Sequence, residues 1–133
     1  MAYTMDYRTY TYGNVQVITL SGRFDGATIP PIRHWLEEAT SKGPANIVVN
    51  LNQVVFLDSS ALATLVFGLK RATQNNGALR LCCLQRRVRL LFELTRMDRV
   101  FEIYPCEEDA INTFASIEAV VSVVPNRNNQ VVS

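Results

Sequence analysis

The chain has 133 residues, 48% hydrophobic and 19% charged, with a formal net charge of +1. This balance predicts one folded globule, excludes a disordered chain, and gives no electrostatic ground for a nucleic-acid or membrane partner. Three cysteines without a C-x-x-C, no apolar run near the roughly 18 residues of a membrane span, and an N-terminus without an apolar signal core predict a soluble cytoplasmic protein with reduced thiols.

In chain order, Tyr3 to Tyr12 predicts a half-exposed strand, with Tyr10 and Tyr12 in alternation. Gly13-Asn14 is a turn signal, and Val15, Val17, Ile18 and Leu20 continue as a second strand, so the two form a hairpin. Ser21-Gly22-Arg23-Phe24-Asp25-Gly26 reads as a loop. Thr28 caps a first helix whose opening turn holds Pro30 and Pro31, where proline is tolerated. Ile32, Trp35, Leu36 and Ala39 form its inner face, and Lys42-Gly43-Pro44 ends it.

Ile47 to Leu51 is β-branched and apolar, the composition of a strand covered on both faces. Asn50, Asn52 and Gln53 break it, a second apolar run covers Val54 to Leu57, and the whole of Val48 to Leu57 reads as interior. Asp58-Ser59-Ser60 is then a polar corner. Leu62, Leu65, Val66 and Leu69 recur at helical spacing and predict a helix from about Ser59 to Asn75, stopped by Asn75-Asn76-Gly77. Leu79, Leu81 and Cys83 alternate as a fourth strand, on which the adjacent Cys82 and Cys83 face opposite sides and cannot easily bond. Arg86 to Thr95 is a third helix with Val88, Leu91 and Phe92 inward and its arginines solvated. Val100, Phe101 and Ile103 make a fifth strand. Glu107-Glu108-Asp109 places acids at the positive end of a last helix carrying Ala110, Ile111, Phe114 and Ile117 on one face. The order predicts an α/β fold, with a mixed, mostly parallel five-stranded sheet and about four helices. Residues 1–118 form the domain and 119–133 an appended tail.

Two readings compete for Asp58-Ser59-Ser60. These residue types dominate helix caps, because their oxygens accept from orphan N–H groups. The same position suits phosphorylation, since N–H groups and the helix dipole tolerate an anion there, and the added charge alters a surface without altering the fold. Gly22 and Asp25 lie at another strand-to-helix exit, which in a parallel sheet falls beside the Ser59 corner, where ligands and partners collect. His34 is the only histidine and supplies neither a metal cluster nor a catalytic triad. G-x-x-x-x-G-K-[ST], G-x-G-x-x-G and G-x-S-x-G are all absent, so a hydrolase with Ser59 as nucleophile has no motif behind it, and no catalytic residue, cofactor or metal is predicted. No stacking aromatics interleave Arg80, Arg86, Arg87, Arg89, Arg96 and Arg99 as a nucleic-acid site would need, since Phe92 belongs to the inward face of the third helix.

L-S-G-R-F-D at Leu20–Asp25, V-V-N-L at Val48–Leu51, F-L-D-S-S-A-L at Phe56–Leu62 and L-F-E-L-T-R-M-D-R-V-F-E-I-Y at Leu91–Tyr104 resemble the STAS domain family. Within it the resemblance is to bacterial anti-anti-sigma factors, and it runs from about Tyr7 to Ile117. It implies a domain that binds an anti-sigma factor, itself an ATP-dependent serine kinase, and so frees a sigma factor. It further implies that Ser59 is the serine phosphorylated, that a separate phosphatase restores it, and that Asp25, Asp58, Ser59, Ser60 and Ala61 face the partner. ATP belongs to the kinase, so no cofactor is implied. Three positions depart from the family pattern: Ala61 stands for a common Gly, Arg23 for a common Glu, and Arg96 for a common Gly. An alternative is a STAS domain in another regulatory or transporter-linked assembly, with Ser59 a cap and no switch.

Overall fold

The computed structural model describes residues 5–114. The starting residues of the first predicted strand, Ile117, the boundary at 118 and the tail from 119 to 133 lie outside the described residues. Five strands, β1 (Met5–Tyr12), β2 (Val15–Phe24), β3 (Asn46–Leu57), β4 (Ala78–Cys82) and β5 (Glu102–Tyr104), stand side by side in the order β1-β2-β3-β4-β5. β1 runs antiparallel to β2, and the other neighbours are parallel. Helices α1 (Ile29–Ala39), α2 (Ser59–Gln74) and α3 (Arg86–Leu94) connect the strands, and α4 is helical over 107–114. The mixed five-stranded sheet with four helices is the expected fold.

Strand alternation sends side chains to two cores. Ile18, Leu20, Ile47, Val49, Leu79 and Leu81 point to one face, where Ile32, Leu36, Leu65 and Phe92 of α1, α2 and α3 cover them. Val15, Val17, Val48 and Cys82 point to the other, under Ala110, Ile111 and Phe114 of α4. The acidic α4 start is also tied to the sheet: Glu107 accepts from Asn50 Nδ2 at 2.7 Å and from the Tyr10 hydroxyl. Tyr10 as a residue is exposed, but partial desolvation of its phenol and then this bond to Glu107 push it up to about 12. Burial likewise raises the thiols of Cys82 and Cys83, which keeps them protonated and weakly nucleophilic.

Several elements differ from expectation for local reasons. β2 continues to Phe24 through what reads as a loop, because Gly22 adopts φ +106 and sits at a bulge rather than a turn. Asn50, Asn52 and Gln53 do not end β3 either. The β2–β3 register shifts between Thr19 and Ser21 and again between Gly22 and Arg23, with the extra residues in β3. Polar side chains serve this stretch: Asn50 Oδ1 accepts from the Asn52 N–H at 2.8 Å, and Gln85 Nε2 donates to the Asn52 carbonyl at 2.8 Å. Cys83 lies past the end of β4 with φ +66, so it does not continue the alternation, and Cys82 is the buried thiol. Both are free cysteines. Val100 is exposed and precedes β5, in a turn built from the 3-10 segment Met97–Arg99.

Arg96 explains that turn and its strain. It follows α3 at φ +64, a left-handed backbone that a Cβ disfavours and glycine accepts freely. Its N–H donates to the Glu93 carbonyl at 3.2 Å, closing the helix end. Arg96→Gly is therefore expected to stabilise the domain by about 1 kcal/mol, read as a higher urea midpoint at unchanged slope.

Candidate functional site

β2 and β3 leave the sheet together. Phe24 pairs with Leu57, both side chains are buried, and the Asp58 N–H donates to the Phe24 carbonyl at 3.3 Å. The chain then turns into α2 through Asp58, which has an extended backbone and is the N-cap. One of its oxygens, Oδ1, accepts from the Ala61 N–H at 2.9 Å. The other, Oδ2, accepts from the Gly26 N–H at 3.2 Å. A single carboxylate thus caps α2 and holds the β2–α1 loop, with its negative charge at the positive end of the helix dipole.

That loop has its own frame. Asp25 Oδ1 accepts from the Ala27 N–H at 3.2 Å, an Asx turn, and the Asp25 N–H donates to Thr28 Oγ1 at 3.0 Å. The Thr28 hydroxyl lies 2.9 Å from the Arg23 carbonyl and makes no capping bond to α1. Thr28 therefore closes the loop rather than capping the helix, and α1 begins with the expected prolines in its first turn. Arg23 Nε lies 3.4 Å from Asp25 Oδ2, and its guanidinium stacks 4.0 Å over the Phe56 ring.

Phe56 and Val55 correct an expectation. They are 38% and 50% exposed, not interior, because the irregular register of upper β3 turns them away from the core while Val54 and Leu57 stay inside. The corner is therefore a ledge with an apolar part, Val55 and Phe56, and a polar part. Sequence reasoning missed the apolar part. The signal was the Asn-x-Asn-Gln interruption, which marks the start of the irregular stretch.

Ser59 opens α2 and is exposed, as is Ser60. Neither hydroxyl has a hydrogen-bond partner among the described residues. Asp58 makes the cap, so the Ser59 Oγ is not committed to one. The N–H groups of Ser59 and Ser60, first in the helix, have no intrahelical acceptor. Ala61 is fully buried, and its methyl group belongs to the core. Of the residues expected to face a partner, Asp25, Asp58, Ser59 and Ser60 reach the surface of one ledge, and the Ala61 side chain does not. His34 lies on the exposed side of α1, its Nε2 3.6 Å from Glu38 Oε2. Among the described residues no group of His, Cys, Asp and Glu could hold a metal ion, and no helix is long and apolar enough to cross a membrane.

The family model described as STAS domain matches residues 6–110. The anti-sigma F factor antagonist of Paenibacillus polymyxa is 28% identical over 107 residues, covering 80% of this chain and 89% of that protein. An anti-sigma factor antagonist from Mycobacterium paratuberculosis has a solved structure of the same fold, at TM-score 0.74 and 24% identity over 82% of this chain and 92% of the other. The Bacillus cell fate determinant SpoIIAA in its phosphorylated form superposes at TM-score 0.65 and 20% identity, over 82% of this chain and 99% of the other. The chain belongs to the STAS domain family.

The division of labour at the corner is measurable. Asp58→Ala removes both the cap and the loop tether and should cost about 1–2 kcal/mol. Ser59→Ala removes a hydroxyl with no partner among the described residues and should change stability by less than about 0.5 kcal/mol. Chemical denaturation of the two variants checks the order.

Proposed function

We propose that this member of the STAS domain family is an anti-sigma factor antagonist: unphosphorylated, it binds an anti-sigma factor that is also a serine kinase, and phosphorylation of Ser59 releases it. The observation that carries this reading is the uncommitted, exposed hydroxyl of Ser59 at the first position of α2, beside a cap made by a different residue. The names of the similar antagonists support the partner class.

The chemistry follows from the corner. A kinase needs an accessible hydroxyl, and this one can be modified without breaking a bond that the fold uses. A phosphoryl group there adds about −1.5 to −2 charge. The free N–H groups of Ser59 and Ser60 and the positive helix end receive it. The carboxylate of Asp58, held by Ala61 and Gly26, stands beside it and adds to the local negative charge. A partner seated on the ledge against Val55, Phe56 and Ser60 would then bury an uncompensated phosphate, which is costly. The switch acts on the interface and leaves the core in place. In this reading the domain binds no ATP, catalyses nothing, and is reset by a separate phosphatase.

The experiment is a pull-down of the cognate anti-sigma kinase with and without ATP. Wild type should bind without ATP and be released, phosphorylated at Ser59, when ATP is supplied. Ser59→Ala should remain bound in both conditions, and Ser59→Asp should bind at least tenfold more weakly. Equal binding by all three under saturating kinase and ATP would contradict the switch, and would leave an interaction domain of another assembly with Ser59 an ordinary helix residue.

A further inference from the structure

Among the described residues β1 is the edge of the sheet, paired on one side with β2. Residues Asp6 to Tyr12 are exposed throughout, without a proline or a bulge in the β1–β2 register. Open edges of this length are normally blunted or covered, because their unpaired N–H and C=O groups template another strand.

Which groups face outward follows from the hairpin. The turn is Gly13-Asn14, closed by Tyr12 opposite Val15, and Gly13 at φ +62 is the only left-handed residue in it, the pattern of a type II′ turn. Tyr12 and Val15 are then a hydrogen-bonded pair, and bonding alternates from there. Tyr12, Tyr10, Arg8 and Asp6 spend their backbone groups on β2. Tyr7, Thr9 and Thr11 present theirs to the outside.

We infer that this edge pairs antiparallel with the β1 of a second copy of the chain, with Thr9 on the two-fold axis, joining the two sheets into one. This register brings together the outward-facing groups of Tyr7, Thr9 and Thr11 in both copies, giving about six backbone hydrogen bonds. It also matches the side chains. Thr9 meets Thr9 and Tyr7 meets Thr11 on one face, both favourable cross-strand pairs. On the other, Arg8 meets the second copy's Tyr10, whose hydroxyl is anchored on the Glu107 carboxylate. A cation there gains the ring face and a nearby negative charge. Asp6 meets Tyr12, a phenol donor opposite a carboxylate. Asp6 and Arg8 have no ion-pair partner among the described residues, so each is available for this exchange. Centring on Tyr7 or Thr11 instead would leave part of the edge beyond the overlap and separate Arg8 from Tyr10.

Sedimentation equilibrium of the full 133-residue chain tests the pairing. A species of twice the 15.0 kDa chain mass should grow with concentration. Thr9→Pro deletes one outward N–H per copy without touching the β2 ladder, and should give a monomer with an unchanged circular dichroism spectrum. The register is tested separately in a Cys82→Ala, Cys83→Ser, Cys106→Ser background. Thr9→Cys should form an interchain disulfide under copper–phenanthroline oxidation, because axial residues of a bonded pair sit about 5.5 Å apart. Thr11→Cys should not. A chain that stays monomeric at all concentrations, a Thr9→Pro variant that is folded and still dimeric, or equal crosslinking at Thr9 and Thr11 would each overturn the inference.

Discussion

The carboxylate of Asp58 is the constraint on which the corner depends. Its two oxygens are divided between the helix that follows and the loop that precedes α1, through the N–H groups of Ala61 and Gly26. Two segments more than thirty residues apart are thereby fixed as one surface. The burial of Phe24 and Leu57 beneath brings β2 and β3 to the same level, and the register shifts in β3 make that possible despite the unequal strand lengths. Without the shifts, the first loop and the α2 start would emerge out of step, and one carboxylate could not reach both.

Because Asp58 holds the corner, Ser59 is spared. Had the serine hydroxyl been the cap, modifying it would remove an accepting oxygen from an orphan N–H and loosen the first turn. With the cap one residue earlier, the hydroxyl carries no structural duty, so a change of charge can remain a surface event. Ala61 adds to this. Its methyl is buried, and alanine favours the helix over glycine by about 1 kcal/mol, so α2 begins firmly.

Much of this was legible in the sequence. The apolar run of β3, the period of α2 and the acid-rich start of α4 predicted their elements because burial and helix polarity act locally. Asp58-Ser59-Ser60 was legible as a helix start for the same reason. What could not be read were effects of pairing. Gly22 looks like a turn and is a bulge, because its role depends on how β3 lies beside it. Asn50, Asn52 and Gln53 look like a strand end, because the residues that bond there, Gln85 just before α3 and Glu107 at the start of α4, are far along the chain. Val55 and Phe56 look like core, because composition does not say which way an irregular strand turns. Thr28 looks like a cap, and nothing nearby in sequence shows that its hydroxyl lies against the Arg23 carbonyl instead. Choosing between Asp58 and Ser59 as cap likewise needed the geometry.

The central claim is that phosphate at Ser59 changes the charge of the ledge and not the fold beneath it. Amide hydrogen exchange of the phosphorylated and unphosphorylated forms, resolved by residue, tests it directly. The account predicts that amides from Leu62 to Gln74 keep their protection, that Gly26 and Ala61 stay protected by Asp58, and that Ser59 and Ser60 become slower as they donate to the phosphate. Loss of protection spreading along α2 after phosphorylation would contradict it, and would mean that the helix melts instead.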